Sequence, residues 1–160
     1  MLGSTYPHQV CSAARALEVV GERWTLLIVR DAMHGMRRFE EFQRGLGVAR
    51  NVLSDRLGKL VDAGILDRVE YQERPVRLEY QLTDKGRDLR PVILALTQWG
   101  DRYVPHPDGP PRLARHIGCG APVTQRSVCD VHGVIDNAEV RTVPGPGATA
   151  RERAGEPTPH

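Results

Sequence analysis

Arg50, Asn51, Ser54, Asp55, Arg56 and Lys59 fall within one run of ten residues. Their side chains supply forked donors, an amide, a hydroxyl and a carboxylate. That mixture matches the edges of bases in a duplex major groove, where Arg pairs with guanine, Asn with adenine, and Asp accepts from cytosine. Leu53, Leu57, Leu60 and Val61 share the run at the i, i+4, i+7, i+8 spacing of one buried helix face. At about 100° per residue, Asn51, Ser54, Asp55 and Lys59 point away from that seam. Arg50 and Arg56 lie at its margins, and Val52 is placed to meet a thymine methyl. Taken alone, the same face reads more readily as an ordinary solvated surface, so its neighbours decide.

Two further arginines, Arg74 and Arg77, flank Pro75 in a short turn. A pair of arginines on a stiffened turn can straddle a phosphate or enter a narrow minor groove. A different chemistry is offered downstream by His116, Cys119, Cys129 and His132, in the pattern H-x2-C-x9-C-x2-H. A glycine follows each pair, and two such pairs suit tetrahedral zinc. A structural zinc would staple a small segment with few apolar residues. The bland alternative is a decayed site or two unrelated thiols. Cys11 opens a predicted helix, where backbone amides favour an anion, and is a candidate redox sensor. Packing as a small apolar residue is its other reading.

These groups need elements to hold them. Helical spacing predicts a first helix over 11–20, containing Leu17, and a strongly apolar second over 23–33. A short third helix over 38–44 begins with Arg38. The seamed helix follows, ends at Gly64 and lacks a capping side chain at its start. Val69 and Tyr71, then Leu78, Tyr80 and Leu82, alternate with polar residues, so a hairpin is predicted over 66–82. Helix, turn, helix and hairpin in that order make a winged helix-turn-helix, mainly α with a small β-hairpin wing. Thr83 then caps a predicted long helix reaching Val104, bent at Pro91. Its seam of Leu89, Val92, Ile93, Leu96, Trp99 and Tyr103 is wider than one chain can cover. With Leu17 it forms a predicted dimer interface.

Nine of the twelve prolines lie beyond Val104. The predicted organisation is a flexible lead over 1–10, a DNA-binding and dimerisation domain over 11–104 and a linker over 105–112. A small Cys/His segment over 113–143 and a disordered tail over 144–160 complete it. The formal net charge is only +2, and Lys59 and Lys85 are the sole lysines, so positive charge is almost all arginine. Arginine is the residue of forked phosphate and guanine contacts, although GC-rich codon usage also favours it. Three cysteines do not make a disulfide scaffold. No apolar run approaches the roughly 20 residues of a membrane span, and no signal-peptide core is present, so a cytoplasmic location and no membrane partner are expected. No catalytic constellation stands out, so an enzyme is not expected.

The chain resembles the HxlR family of bacterial transcriptional regulators, relatives of the MarR regulators. Cys11, the run from Gly21 to Arg30, and Arg38 to Phe42 carry the likeness. So do Leu53 to Leu57, Leu60, Gly64, Leu66, Arg74 to Arg77, and Tyr80 to Gly86. The resemblance spans residues 11 to 104. It implies a homodimer that binds a double-stranded DNA operator near a promoter, as repressor or activator, with no cofactor required for DNA binding. In some members it also implies a response to a small molecule or a reactive electrophile. The rival readings are a protein-binding winged helix without DNA recognition and a zinc module whose helices only dimerise.

Overall fold

A computed structural model describes residues 11–74, 76–148 and 150–154. The predicted lead over 1–10, Pro75 and the last six residues of the predicted tail lie outside the described residues. Helix α1 (Ser12–Val20) starts from Cys11 in extended backbone and closes at Gly21. Helix α2 (Thr25–Met33) begins two residues later than its apolar run predicts. The cause is Trp24, the one non-glycine with positive φ among the described residues, at 80°. A left-handed residue cannot continue a right-handed helix, and a bulky one holds that conformation only where its surroundings impose it. Trp24 packs against the core, and the Arg23 guanidinium lies 5.0 Å from its ring.

Helix α3 (Phe39–Leu46) starts just past Arg38. Glu41 caps it, accepting from the backbone N–H of Arg37 at 2.8 Å and of Arg38 at 3.0 Å. Those two bonds hold the Glu41 carboxyl below its ordinary range. Helix α4 (Arg50–Asp62) has no side-chain cap at Ala49, as predicted. Its end is well made. Gly64 adopts φ 66°, its N–H reaches the Val61 carbonyl at 2.9 Å, and the Ile65 N–H reaches Leu60 at 2.9 Å. That is a Schellman closure, with Leu60 and Ile65 both buried beside it.

Strands β1 (Leu66–Glu73) and β2 (Val76–Leu82) pair antiparallel from Leu66↔Leu82 to Glu73↔Val76, with a bulge between Glu70 and Gln72. Leu66 and Tyr80 are the buried residues of this hairpin. Two ties root it. The Tyr80 N–H donates to the Arg37 carbonyl at 2.7 Å, and Phe42 meets the Tyr80 ring edge-on at 6.5 Å. The core is aliphatic around Phe42 and Tyr80: Ile28, Val29, Phe42, Leu53, Leu57, Leu60, Ile65 and Leu66 are essentially sealed from solvent. Burying each leucine contributes about 1.5–3 kcal/mol. Val52 is half-buried and packs against this core, so it does not project freely as the sequence suggested.

The predicted long helix is two. Thr83 caps α5 (Asp84–Arg87), its hydroxyl accepting from the Gly86 N–H at 3.0 Å and donating to the Gly64 carbonyl at 2.8 Å. After Asp88 and Leu89, α6 (Arg90–Tyr103) begins afresh with Pro91 in its first turn. There the missing N–H costs nothing, so the proline starts a helix instead of bending one. No residue of α6 is buried within the chain.

The C-terminal segment is not set apart from the domain by the proline-rich stretch. Gln98 of α6 donates to the Val123 carbonyl at 2.8 Å and accepts from the Gln125 N–H at 2.9 Å. Burial and then the charge of Arg112 hold His34, after α2, below its usual range, so the stretch before the segment runs close to α2. Strands β3 (Ser127–Cys129) and β4 (Gly133–Ile135) form a short hairpin, followed by a 3-10 turn over Asn137–Glu139. Within the predicted disordered tail, α7 (Ala150–Arg153) makes one helical turn. Among the described residues no helix is long and apolar enough to cross a membrane.

Two glycines test these junctions. A Cβ at Gly86 would run into the backbone carbonyl of Ile65, whereas one at Gly64 meets open space but keeps a left-handed φ. Gly86→Ala should cost about 2–3 kcal/mol through overpacking, and Gly64→Ala about 1–2 kcal/mol through backbone strain alone. Urea unfolding of both variants checks the order; equal costs would dismiss the close approach of α5 to the end of α4.

Candidate nucleic-acid interface

The predicted base-reading face divides into two groups. Arg50, Asn51 and Ser54 are exposed on the first turns of α4. Asp55, Arg56 and Lys59 are tied to one another and to the α1–α2 corner. Arg56 pairs with Glu22 and, at 2.6 Å, with Asp55, and its Nε donates to the Arg23 carbonyl at 3.3 Å. Lys59 reaches Glu22 at 3.2 Å and Asp55 at 3.3 Å, and the Glu22 contact raises its pKa. With its side chain only 19% exposed, Arg56 fastens α4 to the corner before α2. The sequence pattern could not separate these roles, because Glu22 lies more than thirty positions away.

A cleft of about 710 Å³ opens between the start of α3 and the hairpin. Arg38, Arg44 and Arg77 line it, together with Phe39, Tyr71 and Val76. Glu40 and Glu41 also reach its wall, but Glu41 is engaged by the α3 cap. Arg38 rests 4.6 Å from the Tyr71 ring and Arg50 lies 4.7 Å from the Phe39 ring. Arg44 was not singled out from sequence; its place in the cleft follows from how α3 meets the wing. Arg74 and Arg77 are both exposed at the hairpin end, where the Gln72 side chain donates to the Arg74 carbonyl at 2.9 Å. Arg37, one residue before Arg38, is instead paired with Glu79 of β2 at 3.4 Å.

The predicted dimer residues also separate. Leu89 packs against its own core and Ile93 is half-buried, because the break before α6 turns the start of that helix inward. Val92, Leu96, Trp99 and Tyr103 are 47%, 51%, 57% and 59% exposed. They repeat at four, three and four residues, a single stripe along α6. Leu17 on α1 is exposed as well. Cys11 is exposed at the N-cap of α1, without a side-chain cap bond.

The four-ligand zinc site read from His116, Cys119, Cys129 and His132 is not assembled in this structure. Each pair closes on itself, with His116 Nδ1 3.2 Å from Cys119 Sγ and His132 Nδ1 3.5 Å from Cys129 Sγ. Among the described residues no group of three or more His, Cys, Asp or Glu side chains is arranged to hold a metal ion. The physical reason is where the turns fall. The first pair sits in its own turn, closed by Arg115↔Pro122, and the β3–β4 hairpin folds over Asp130–His132. No hairpin forms between the cysteines to bring the pairs together. Amides of Val131 and His132 lower the pKa of Cys129.

Known proteins share this arrangement. The HxlR-like helix-turn-helix family matches residues 19–108. An uncharacterized HTH-type transcriptional regulator of Mycobacterium tuberculosis is 50% identical over 141 residues, covering 88% of this chain and 89% of that protein. The crystal structure of PA1607, a candidate transcription factor, superposes with a TM-score of 0.74 at 39% identity, covering 83% of this chain and 94% of that one. The redox regulator HypR, in its oxidized form, matches at 32% identity with a TM-score of 0.54 over 57% of this chain and 96% of its own. The Mycobacterium tuberculosis relative and PA1607 cover more of the chain than the family model does, so their likeness extends past residue 108 into the C-terminal segment. A winged helix with this element order, this cleft and these relatives places the chain in the HxlR-like helix-turn-helix family of transcriptional regulators, whose members are not enzymes.

Proposed function

We propose that this chain is a homodimeric, sequence-specific DNA-binding regulator acting at promoter operators. One observation carries the reading. The exposed first turns of α4, with Arg50, Asn51 and Ser54, open beside a cleft lined by Arg38, Arg44 and Arg77. A recognition helix needs base-reading groups at its N-terminal end and phosphate contacts beside them. Ser54 and Asn51 face bases in this reading, Arg74 and Arg77 hold the flanking backbone, and Asp55, Arg56 and Lys59 set the pitch of the helix. No cofactor enters the DNA contact.

The dimer rests on α6. A 14-residue helix with no buried residue and a stripe of four apolar side chains needs a second surface. The same helix of a second copy presents it, with α1 alongside. Two recognition helices would then meet two half-sites. As for the signal, Cys11 stands exposed at the N-cap of α1, and the similarity to the redox regulator HypR favours a thiol-based response over a small ligand.

Duplexes selected from a randomised library by the intact chain supply the test. Asn51→Ala should cost about 1–3 kcal/mol on the selected duplex and relax preference at one position. Arg77→Ala should weaken all duplexes alike and lower the salt slope by about one. An unchanged slope would remove the hairpin from the interface, and failure to enrich any duplex would favour the protein-binding winged helix.

Leu96→Asp puts a charge in the exposed α6 stripe without touching the core. It should yield a folded monomer in sedimentation, with operator binding lost because each chain spans one half-site. A folded Leu96→Asp dimer would refute the α6 seam. For the signal, the thiol oxidant diamide should release the intact chain from its selected duplex but not the Cys11→Ser chain. Release of both would exclude Cys11 as the sensor.

A further inference from the structure

Arginines in this domain are held in two ways. Arg37 and Arg56 are held by carboxylates, Glu79 for the first and Asp55 with Glu22 for the second. Arg50 is held by a ring: its guanidinium carbon lies 4.7 Å from the centroid of Phe39. The difference has chemical consequences. A carboxylate consumes the N–H donors of a guanidinium and cancels its charge. An aromatic face holds the cation through its own negative quadrupole and leaves the N–H edge free. A guanidinium held this way keeps the fork that guanine O6 and N7 accept from.

Phe39 is suited to the task by its place in the fold. It is the first residue of α3, and the Glu41 cap fixes the backbone there. The ring is half-buried and packs against the core, so it cannot follow a moving arginine. Arg50 is the first residue of α4, where recognition helices meet base edges. The same device recurs across the cleft, where Arg38 lies 4.6 Å from the Tyr71 ring beside the β1 bulge.

We infer that Phe39 is a positioning residue for base recognition: its ring holds Arg50 at the first turn of α4 with the guanidinium donors free to take a guanine. The inference rests on the DNA-binding reading above and adds a residue that itself touches no base. An arginine left to wander must be ordered on binding, and that ordering weakens the complex and blurs its preference. Phe39 removes the cost beforehand.

The experiment is a double-mutant cycle on the duplex selected from a randomised library by the intact chain. Affinity and base preference are measured for Phe39→Leu, Phe39→Tyr, Arg50→Ala and the Phe39→Leu/Arg50→Ala pair, with thermal unfolding to show that each is folded. Phe39→Met carries the same comparison should Leu fail to fold. Phe39→Leu should weaken binding about two- to fivefold and reduce guanine preference at the position that Arg50→Ala affects. Phe39→Tyr keeps a ring and should restore both. In the Arg50→Ala background, Phe39→Leu should add nothing. Additive losses, a different affected position, or a Tyr variant as weak as Leu would each overturn the inference while leaving DNA binding intact. Enrichment of no duplex would sink the DNA-binding reading itself. An Arg50→Ala chain with unchanged affinity and preference would overturn the inference by showing that Arg50 reads no base.

Discussion

Everything that faces solvent on this domain depends on the burial of Leu53, Leu57 and Leu60. These three leucines of α4 are sealed in the core with Phe42 and Ile28. A helix of thirteen residues has one rotation that buries such a seam, and that rotation decides which side chains remain outside. Rotating α4 by one residue would bring Ser54 or Asn51 inward and leave buried polar groups unpaired. The apolar energy therefore does two things at once: it stabilises the fold and aims the polar face. The Schellman closure at Gly64 fixes the other end, so α4 can neither turn nor slide. Thr83 extends the constraint by tying the end of the hairpin to the carbonyls of Gly64 and Ile65, the two residues whose N–H groups close α4.

Much of this was legible in the sequence because it is local. Period 3.6 in α4, alternation in β1 and β2, glycine after the last turn and threonine before α5 are each written within a few residues. What was hidden depends on partners distant in sequence. Trp24 reads as a helix residue by composition, yet tertiary packing imposes a left-handed backbone on it. Arg56 reads as a base-facing arginine until Glu22 and the Arg23 carbonyl come to it. Pro91 reads as a kink inside a helix, because nothing in the local pattern announces the break at Asp88 and Leu89. The four His and Cys side chains have ligand spacing, but spacing says nothing of which turns will close, and the turns here close within each pair. Gln98 had no signature at all: its two bonds to the backbone around Val123 and Gln125 exist only once α6 and the later segment meet.

Charge in this domain is sorted by the way each arginine is held. Those that fasten one element to another have carboxylate partners, and their field is cancelled locally. Those that line the α3–hairpin cleft lie on aromatic rings or extend into solvent, with no salt bridge to their guanidinium groups among the described residues, although Glu40 and Glu41 share the cleft wall. A net charge of +2 says nothing of this sorting, since it sums acids and bases wherever they lie. Glu22, Asp55 and Glu79 neutralise arginines that carry structure, and in the proposed reading Arg38, Arg44, Arg50 and Arg77 are left to face a polyanion. That is why the weak overall charge is no argument against DNA as the partner.

The same logic explains why α6 is built as it is. One face of the helix contacts α2, and a second holds the later segment through Gln98. A third carries the stripe of Val92, Leu96, Trp99 and Tyr103. A helix fixed on two sides is rigid, and its free stripe is then a fixed surface instead of a fraying terminus. A two-fold contact between such stripes is self-complementary, since each residue meets the equivalent region of its counterpart. Rigidity matters because half-site spacing on DNA is set by the helical repeat, about 34–36 Å. A dimer seam mounted on a loose helix would let the two α4 helices drift out of register with that repeat. In the proposed dimer the bonds of Gln98 would bear on DNA recognition from a position remote from the groove, because they brace the helix from which the spacing of two reading heads would be measured.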